Sequence, residues 1–79
     1  MEAMRDLVAF LARALVDEPE AVEVEVVEEA RAYVFQLTVA PDDLGKVIGK
    51  EGRTARAMRT LLSSMSARTR KRALLDIME

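Results

Sequence analysis

Residues 45–59 of the chain are Gly-Lys-Val-Ile-Gly-Lys-Glu-Gly-Arg-Thr-Ala-Arg-Ala-Met-Arg, and this stretch decides the fold. Two glycines, Gly49 and Gly52, bracket Lys50 and Glu51, after an apolar pair and before a helical pattern with an arginine at every third position. A backbone can pass close to such a turn because no Cβ stands in the way. Its free N–H groups and the start of the second helix suit an anion such as a phosphate. The stretch therefore predicts two helices joined by a tight turn that can hold a phosphate group.

The composition is typical of a small globular domain. The chain has 79 residues, of which 51% are hydrophobic and 33% are charged, so we expect one domain, residues 1–79, with a thin core. It has no cysteine for a disulfide and no histidine, the commonest metal ligand and acid–base catalyst. No apolar run approaches the roughly 18 residues that cross a bilayer, and the N-terminus lacks the basic segment of a signal peptide. We expect no enzymatic activity, metal, cofactor, small-molecule substrate or membrane partner.

The net charge of −2 conceals a split along the chain. Residues 1–45 hold three basic residues against eleven acidic ones, a net charge of −8, whereas residues 46–72 hold nine basic residues against one acidic residue, a net charge of +8. A basic block on one stretch is the local electrostatic footprint of nucleic-acid binding. The alternative is a solvated basic face whose charges pair with the acidic half, and charge alone does not choose between the two.

Hydrophobic periodicity predicts a helix followed by a hairpin. Apolar residues recur at helical spacing over residues 3–16, and Pro19 follows the end of that helix. Valines alternate with glutamates over residues 22–26, and β-branched and aromatic residues fill residues 33–39. Because the connection between these two strands is short, we expect them to be antiparallel.

Two further helices should follow the hairpin. A short one begins around Pro41 and ends at Gly49, and a longer one begins near Arg53 and frays at the serines of residues 63–66. Spacing at i, i+3, i+4 and i+7 predicts that four apolar residues of the longer helix face the core: Met58, Leu61, Leu62 and Met65.

The final segment, residues 71–78, is ambiguous. Its residue types favour a helix, yet Ala73, Leu75 and Ile77 alternate as in a strand. A strand that returns after a helical crossover would run parallel to its neighbour. The order α-β-β-α-α-β would then give an α+β domain, with a three-stranded mixed sheet and the helices on one face.

The glycine loop resembles the core of KH domains, because Val47 and Ile48 precede it, a helix follows it and two strands lie ahead of it. The order of elements resembles the prokaryotic, or type II, KH arrangement. The match spans nearly the whole chain, which is similar to the small stand-alone bacterial KH-domain RNA-binding proteins, the KH domain-containing protein A family. This resemblance implies a single type II KH domain and favours a strand for residues 71–78.

The same resemblance implies a function and partners. KH domains hold about four nucleotides of single-stranded nucleic acid in a narrow groove beside the glycine loop. The small bacterial members are cytoplasmic RNA-binding proteins, linked to cell elongation and division, that form homodimers or pair with a larger KH-containing protein. We therefore expect single-stranded RNA as the ligand, and a role as a post-transcriptional regulator or RNA chaperone; single-stranded DNA stays an open alternative.

Carried onto this sequence, the resemblance implies an RNA-binding site around the loop. Its glycines would form the turn, Lys50 would contact a phosphate, and basic residues on both helices would extend the contact. One residue of the apolar pair would pack in the core and the other would line the groove, and the sequence does not assign which. The expected RNA-binding residues are Lys46, Val47, Ile48, Gly49, Lys50, Glu51, Gly52, Arg53 and Arg56. A second basic group is either a further RNA contact or a solvated loop: Arg68, Arg70, Lys71 and Arg72.

Two departures from the KH pattern predict weak binding. Ala55 stands where KH domains carry a larger aliphatic residue, and Glu51 would repel a phosphate unless it points outward or pairs with Arg53 or Arg56. They motivate an alternative function, in which the KH fold serves as a protein-interaction or dimerisation module with weak or no RNA binding. Exposed apolar residues of the 58–66 helix or of the last strand are the candidates for such an interface.

Overall fold

The computed structural model of the protein describes residues 2–69 and 71–79. Its elements follow the predicted order, and the ambiguous final segment is a strand. They are α1 (Glu2–Leu15), β1 (Glu23–Glu28), β2 (Ala32–Thr38), α2 (Leu44–Ile48), α3 (Arg53–Ser66) and β3 (Arg72–Ile77), with short 3-10 turns at Pro19–Ala21, Pro41–Asp43 and Lys50–Gly52.

The three strands form one mixed sheet in the order β1-β2-β3. β1 and β2 make the antiparallel hairpin, with Val24 opposite Leu37. β3 returns after α3 and pairs in parallel with the other side of β2, with Phe35 beside Leu75. The prediction of a three-stranded mixed sheet is confirmed.

The core lies between the helices and one face of the sheet. Phe35 and Leu37 are completely buried at the centre of β2, where Val8 of α1 and Leu62 of α3 pack against them in one hydrophobic cluster. Residues that alternate with these along the strands, such as Gln36, lie outside this cluster. All three helices therefore cover one face of the sheet, as predicted, and none of the described helices lies on the other face.

The predicted core stripe of α3 is wrong at two of its four positions. Met58 and Leu62 are buried, but Leu61 is 45% exposed and Met65 is 40% exposed. A helix of 3.6 residues per turn turns about 100° from one residue to the next, so the immediate neighbour of the buried Leu62 cannot also face a narrow three-stranded sheet. The buried stripe consists instead of Ala55, Met58, Leu62 and Ser66.

Within residues 2–69 and 71–79, no helix has both the length and the apolar character that a membrane crossing requires.

Candidate nucleic-acid interface

The turn between α2 and α3 has a backbone that requires glycine at its first position. Gly49 has φ +79° and ψ 169°, a backbone conformation that residues other than glycine rarely adopt. A Cβ at Gly49 would lie 2.2 Å from Oγ1 and 2.8 Å from the backbone N of Thr54. The first turn of α3 is therefore packed directly on the Gly49 backbone, and sequence reasoning did not identify the Thr54 side of that contact.

The turn continues with two left-handed residues. Glu51 has φ 57° and ψ 25°, and Gly52 has φ 74° and ψ 14°. Glu51 is the only non-glycine residue with positive φ among the described residues. For a residue with a side chain this conformation costs about 1–2 kcal/mol. A strained backbone of this kind is typical of a functional turn.

The charged side chains around the turn are exposed, but they differ in whether they form an ion pair or a hydrogen bond within the protein. Lys50 has no ion-pair partner in the part of the chain that the structure describes. Glu51 Oε1 lies 3.8 Å from Nη2 of Arg53, and Arg56 Nη2 donates a hydrogen bond of 3.4 Å to the Glu51 carbonyl. One of the two pairings anticipated for Glu51 is therefore present, which reduces its repulsion of an anion.

Lys46 lies one turn before the loop, and its ammonium is held by two carboxylates. Its Nζ lies 3.1 Å from Asp17 Oδ2 and 3.3 Å from Asp43 Oδ1. Hydrogen bonds to Asp17 and then to Asp43 raise the pKa of Lys46 above its ordinary value, although partial burial opposes them. Lys46, an expected RNA-binding residue, therefore also connects α2 to the segment just after α1 through its ion pair with Asp17.

Asp43 is the buried carboxylate of the two that pair with Lys46. The sequence did not indicate that it makes a long-range contact. It is 1% exposed, and its Oδ2 accepts the backbone N–H of Glu18 at 3.0 Å. Burial alone would raise the pKa of Asp43. Backbone hydrogen bonds from Asp17 and Glu18, together with Lys46, outweigh it and hold the pKa below its ordinary value. The ionised carboxylate thus fixes the start of α2 against the segment that leads into β1.

The structure separates the apolar pair before the loop. Val47 is completely buried in the core, whereas Ile48 is half-buried next to Gly49. Ala55, in the first turn of α3, is also buried. Ile48 is thus the member of the pair that can line a groove, and Val47 anchors α2 to the core.

α3 packs beside β3, which is an edge strand of the sheet. Arg59 Nη2 donates a hydrogen bond of 3.5 Å to the Leu75 carbonyl and so bridges the two elements. The second basic group does not form one free surface. Lys71 pairs with Glu28 and its Nζ lies 4.7 Å from the centroid of the Tyr33 ring, Arg68 and Arg72 are exposed, and Arg70 lies outside the described residues.

The site is an open, cationic surface with a polar backbone turn at its centre. Among the described residues, no group of three or more histidines, cysteines or carboxylates could hold a metal ion. The arrangement can therefore bind an anionic chain through exposed cations and backbone N–H groups.

A three-stranded mixed sheet covered on one face by helices, with a two-glycine turn between α2 and α3, defines the class of KH domains. The model of the KhpA/KhpB KH-domain family matches residues 5–77. The RNA-binding protein KhpA of Chlamydia caviae is 46% identical over 76 residues, which cover 96% of this chain and 97% of that protein. The RNA-binding protein KhpA of Aquifex aeolicus is 44% identical over 79 residues, the full length of both chains. The chain belongs to the KhpA/KhpB family of KH-domain proteins.

Proposed function

We propose that this protein binds short single-stranded RNA and grips its sugar–phosphate backbone on the turn formed by residues 49–52. The observation that carries the proposal is the backbone of that turn, which has no Cβ at Gly49 or Gly52 and is flanked by exposed cations. The similarity to proteins named for RNA binding supports the choice of ligand.

Each residue of the site has a distinct role in this proposal. Lys50 contacts a phosphate as an unpaired cation, and Arg53 and Arg56 extend the cationic wall along α3. Ile48 forms the apolar floor beneath a base, and Val47 supports it from the core. The other members of the site are Gly49, Glu51 and Gly52, which form the turn, and Lys46 of α2, which must first leave its ion pairs with Asp17 and Asp43.

A direct test is fluorescence anisotropy with short single-stranded RNA at two salt concentrations. Wild type is compared with the double variant Lys50→Asp/Glu51→Asp, which keeps both glycines and replaces the cation of the turn by an anion. Arg13→Asp, in α1, changes the net charge by the same amount and is the matched control. Circular dichroism establishes that all three proteins are folded.

We expect the turn variant to lose at least about tenfold in RNA affinity while the α1 control changes little, because phosphate contacts dominate such binding. Equal binding by the two variants would contradict the role of the turn. Absence of binding by wild type would contradict RNA binding itself. The same titration with single-stranded DNA determines whether the proposal extends to that ligand.

The cellular role that we propose rests on the family resemblance. It is that of a cytoplasmic, non-enzymatic regulator or chaperone of RNA, linked to cell elongation and division. Crosslinking of RNA to the protein in growing cells, compared between wild type and the turn variant, tests this role. Loss of cell-shape control in the variant, without a change in protein level, would support it, and an unchanged phenotype would contradict it.

One observation also favours a second role, as a dimerisation module. Leu61 and Met65 are four residues apart, so they lie on the same flank of α3, and both are substantially exposed. This flank is suited to a homodimer or to pairing with a larger KH-containing protein. Sedimentation analysis should show a dimer that Leu61→Lys weakens and that Phe10→Lys, at an exposed apolar residue of α1, leaves intact. A monomeric wild type would contradict the homodimer.

A further inference from the structure

The outer edge of β1 carries free hydrogen-bonding groups. Glu29 N–H donates to the Ala32 carbonyl at 2.7 Å, which marks this pair as hydrogen-bonded. Because such pairs alternate along an antiparallel ladder, the backbone groups of Val24 and Val26 must point away from β2. Arg5 Nε confirms this direction, since it donates a bond of 3.2 Å to the Val24 carbonyl. Within residues 2–69 and 71–79, the outward groups of Val26 have no hydrogen-bond partner.

A surface trough of about 700 Å³ lies along this edge, between α1 and β1, and extends to Gln36, Thr38 and Met78. Its helix side includes Arg5, Ala9, Phe10 and Arg13, and its strand side includes Val22 and Glu23. Phe10 is 67% exposed, and among the described residues it belongs neither to the core cluster nor to the hydrophobic residues packed against it. The trough thus combines an unpaired strand edge with an exposed aromatic side chain, the two features that receive an extended peptide in β-strand addition.

The charge of β1 selects the kind of strand that can pair with it. Glu23 and Glu25 point to the helix-free side of the sheet, are exposed, and form no ion pair among the described residues. Glu28, at the end of the strand, is paired with Lys71. A second copy of β1 would bring glutamates against glutamates, since charged residues on an edge strand oppose self-pairing. A basic strand would instead gain opposite-charge pairs across the ladder.

We propose that β1 binds an extended, basic segment of a partner protein as a fourth strand of the sheet. The segment has about six residues, the length of β1, and alternates lysine or arginine with apolar residues. Since side chains alternate across a strand, the basic ones lie beside Glu23 and Glu25 and the apolar ones lie against Ala9 and Phe10. The Arg5 side chain, which now covers the Val24 carbonyl, moves aside when the segment binds.

This surface is separate from the proposed RNA site. β1 and β3 are opposite edges of the sheet, and α3, which begins directly after the glycine turn, packs beside β3. The two ligands can therefore be bound together, and the proposal does not depend on RNA binding.

The experiment is an NMR titration of the ¹⁵N-labelled full chain with a blocked hexapeptide of alternating lysine and valine. We expect the amide signals of Val24 and Val26 to shift and to become protected from hydrogen exchange. Two further peptides carry N-methyl groups on alternate residues, at odd or at even positions. Because only one set of peptide N–H groups faces β1, one of them should bind at least about tenfold more weakly than the other.

Substitutions test which side chains of the protein contact the peptide. Glu23→Gln/Glu25→Gln should weaken the lysine peptide about fivefold, as expected for two exposed ion pairs, and Phe10→Ser should weaken it without affecting RNA binding. Leu15→Ser, an apolar-to-polar change at an exposed residue of α1 outside the trough, is the matched control. No binding, shifts confined to α3, equal binding of both methylated peptides, or equal binding of an alternating glutamate–valine peptide would each overturn the proposal.

Discussion

At Gly49 the chain leaves α2 with a φ of +79°, and the first turn of α3 packs directly on its backbone. The backbone conformation of the proposed RNA-binding turn therefore depends on the absence of a Cβ at Gly49. At Gly45, four residues earlier, no atom lies within 4 Å of the place where a Cβ would be, apart from the adjacent residues and the backbone of its own helix. Gly49 at the end of α2 is therefore required by the packing, whereas Gly45 within α2 can be replaced, and the two positions can be compared in the same protein.

Gly49→Ala is predicted to lower the free energy of unfolding by about 3 kcal/mol, because the new Cβ meets Thr54 and the backbone conformation is strained for alanine. Gly45→Ala should instead raise it by about 0.5 kcal/mol, since alanine is the better helix former. Urea unfolding measures both changes. Equal effects of the two substitutions would contradict the packing of Thr54 on Gly49.

Glu51→Asn is predicted to increase both stability and RNA affinity. Asparagine tolerates the left-handed conformation better than glutamate does, so the free energy of unfolding should rise by about 0.5–1 kcal/mol. Removal of the negative charge should tighten RNA binding several-fold. Thermal unfolding and anisotropy titrations measure the two effects, and Glu20→Asn, which removes the same charge from the turn before β1, should reproduce neither.

At the scale of elements, α2 is held at both ends. Val47 anchors it in the core, and Asp43 connects its first residue to the segment between α1 and β1 through the Glu18 N–H and Lys46. A helix of only five residues cannot be stable by itself in water. These tertiary contacts therefore determine where the proposed RNA turn lies.

Asp43→Asn is predicted to destabilise the protein at neutral pH and to reduce its sensitivity to acid. The pKa of Asp43 is lowered in the folded state, so its ionised form contributes stability above its ordinary value of 3.8. That contribution is lost as the pH falls from 3.8 through the folded value. The difference in unfolding free energy between variant and wild type should therefore shrink below about pH 4, as urea unfolding over pH 2.5–7 would measure. Asp42→Asn, at the exposed neighbour, should show no such convergence.

The elements show what a sequence can predict and what it cannot. The helix expected over residues 3–16 is Glu2–Leu15, and the hairpin is in place, because both follow from periodicity within a short window. The strand Arg72–Ile77 was ambiguous, since pairing with β2 and not local preference decides it. Leu61 and Met65 were wrongly assigned to the core, because the width of the surface that α3 covers depends on how many strands lie beneath it.

The candidate site divides in the same way. The loop residues and their charges are local features that the sequence shows directly, and the pairing of Glu51 with Arg53 was anticipated. Their role in RNA binding stays a prediction. The contact between Asp43 and Glu18 spans 25 residues and carries no local signal. The same applies to the Arg59 bridge to β3. The sequence therefore predicted which residues surround the turn, but not the contacts that fix its position.

At the scale of the whole molecule, the exposed cations of the turn and of α3 predict a shallow salt dependence of RNA binding. Three or four phosphate contacts on a single strand correspond to a slope of about −2 to −3 in a plot of log affinity against log salt concentration. Anisotropy titrations from low to physiological salt measure it. Arg53→Gln/Arg56→Gln should reduce the slope by about 1.4. A wild-type slope near zero would contradict binding through phosphates.

The contact between Lys71 and Tyr33 makes the intrinsic fluorescence of Tyr33 a probe of the surroundings of Lys71. The chain contains one tyrosine and no tryptophan, so its near-ultraviolet fluorescence comes from the ring that lies under the Lys71 ammonium. Any ligand that draws Lys71 toward a phosphate changes the surroundings of that ring. Emission at the tyrosine wavelength therefore reports, without a dye or a label, on whether the segment before β3 takes part in binding.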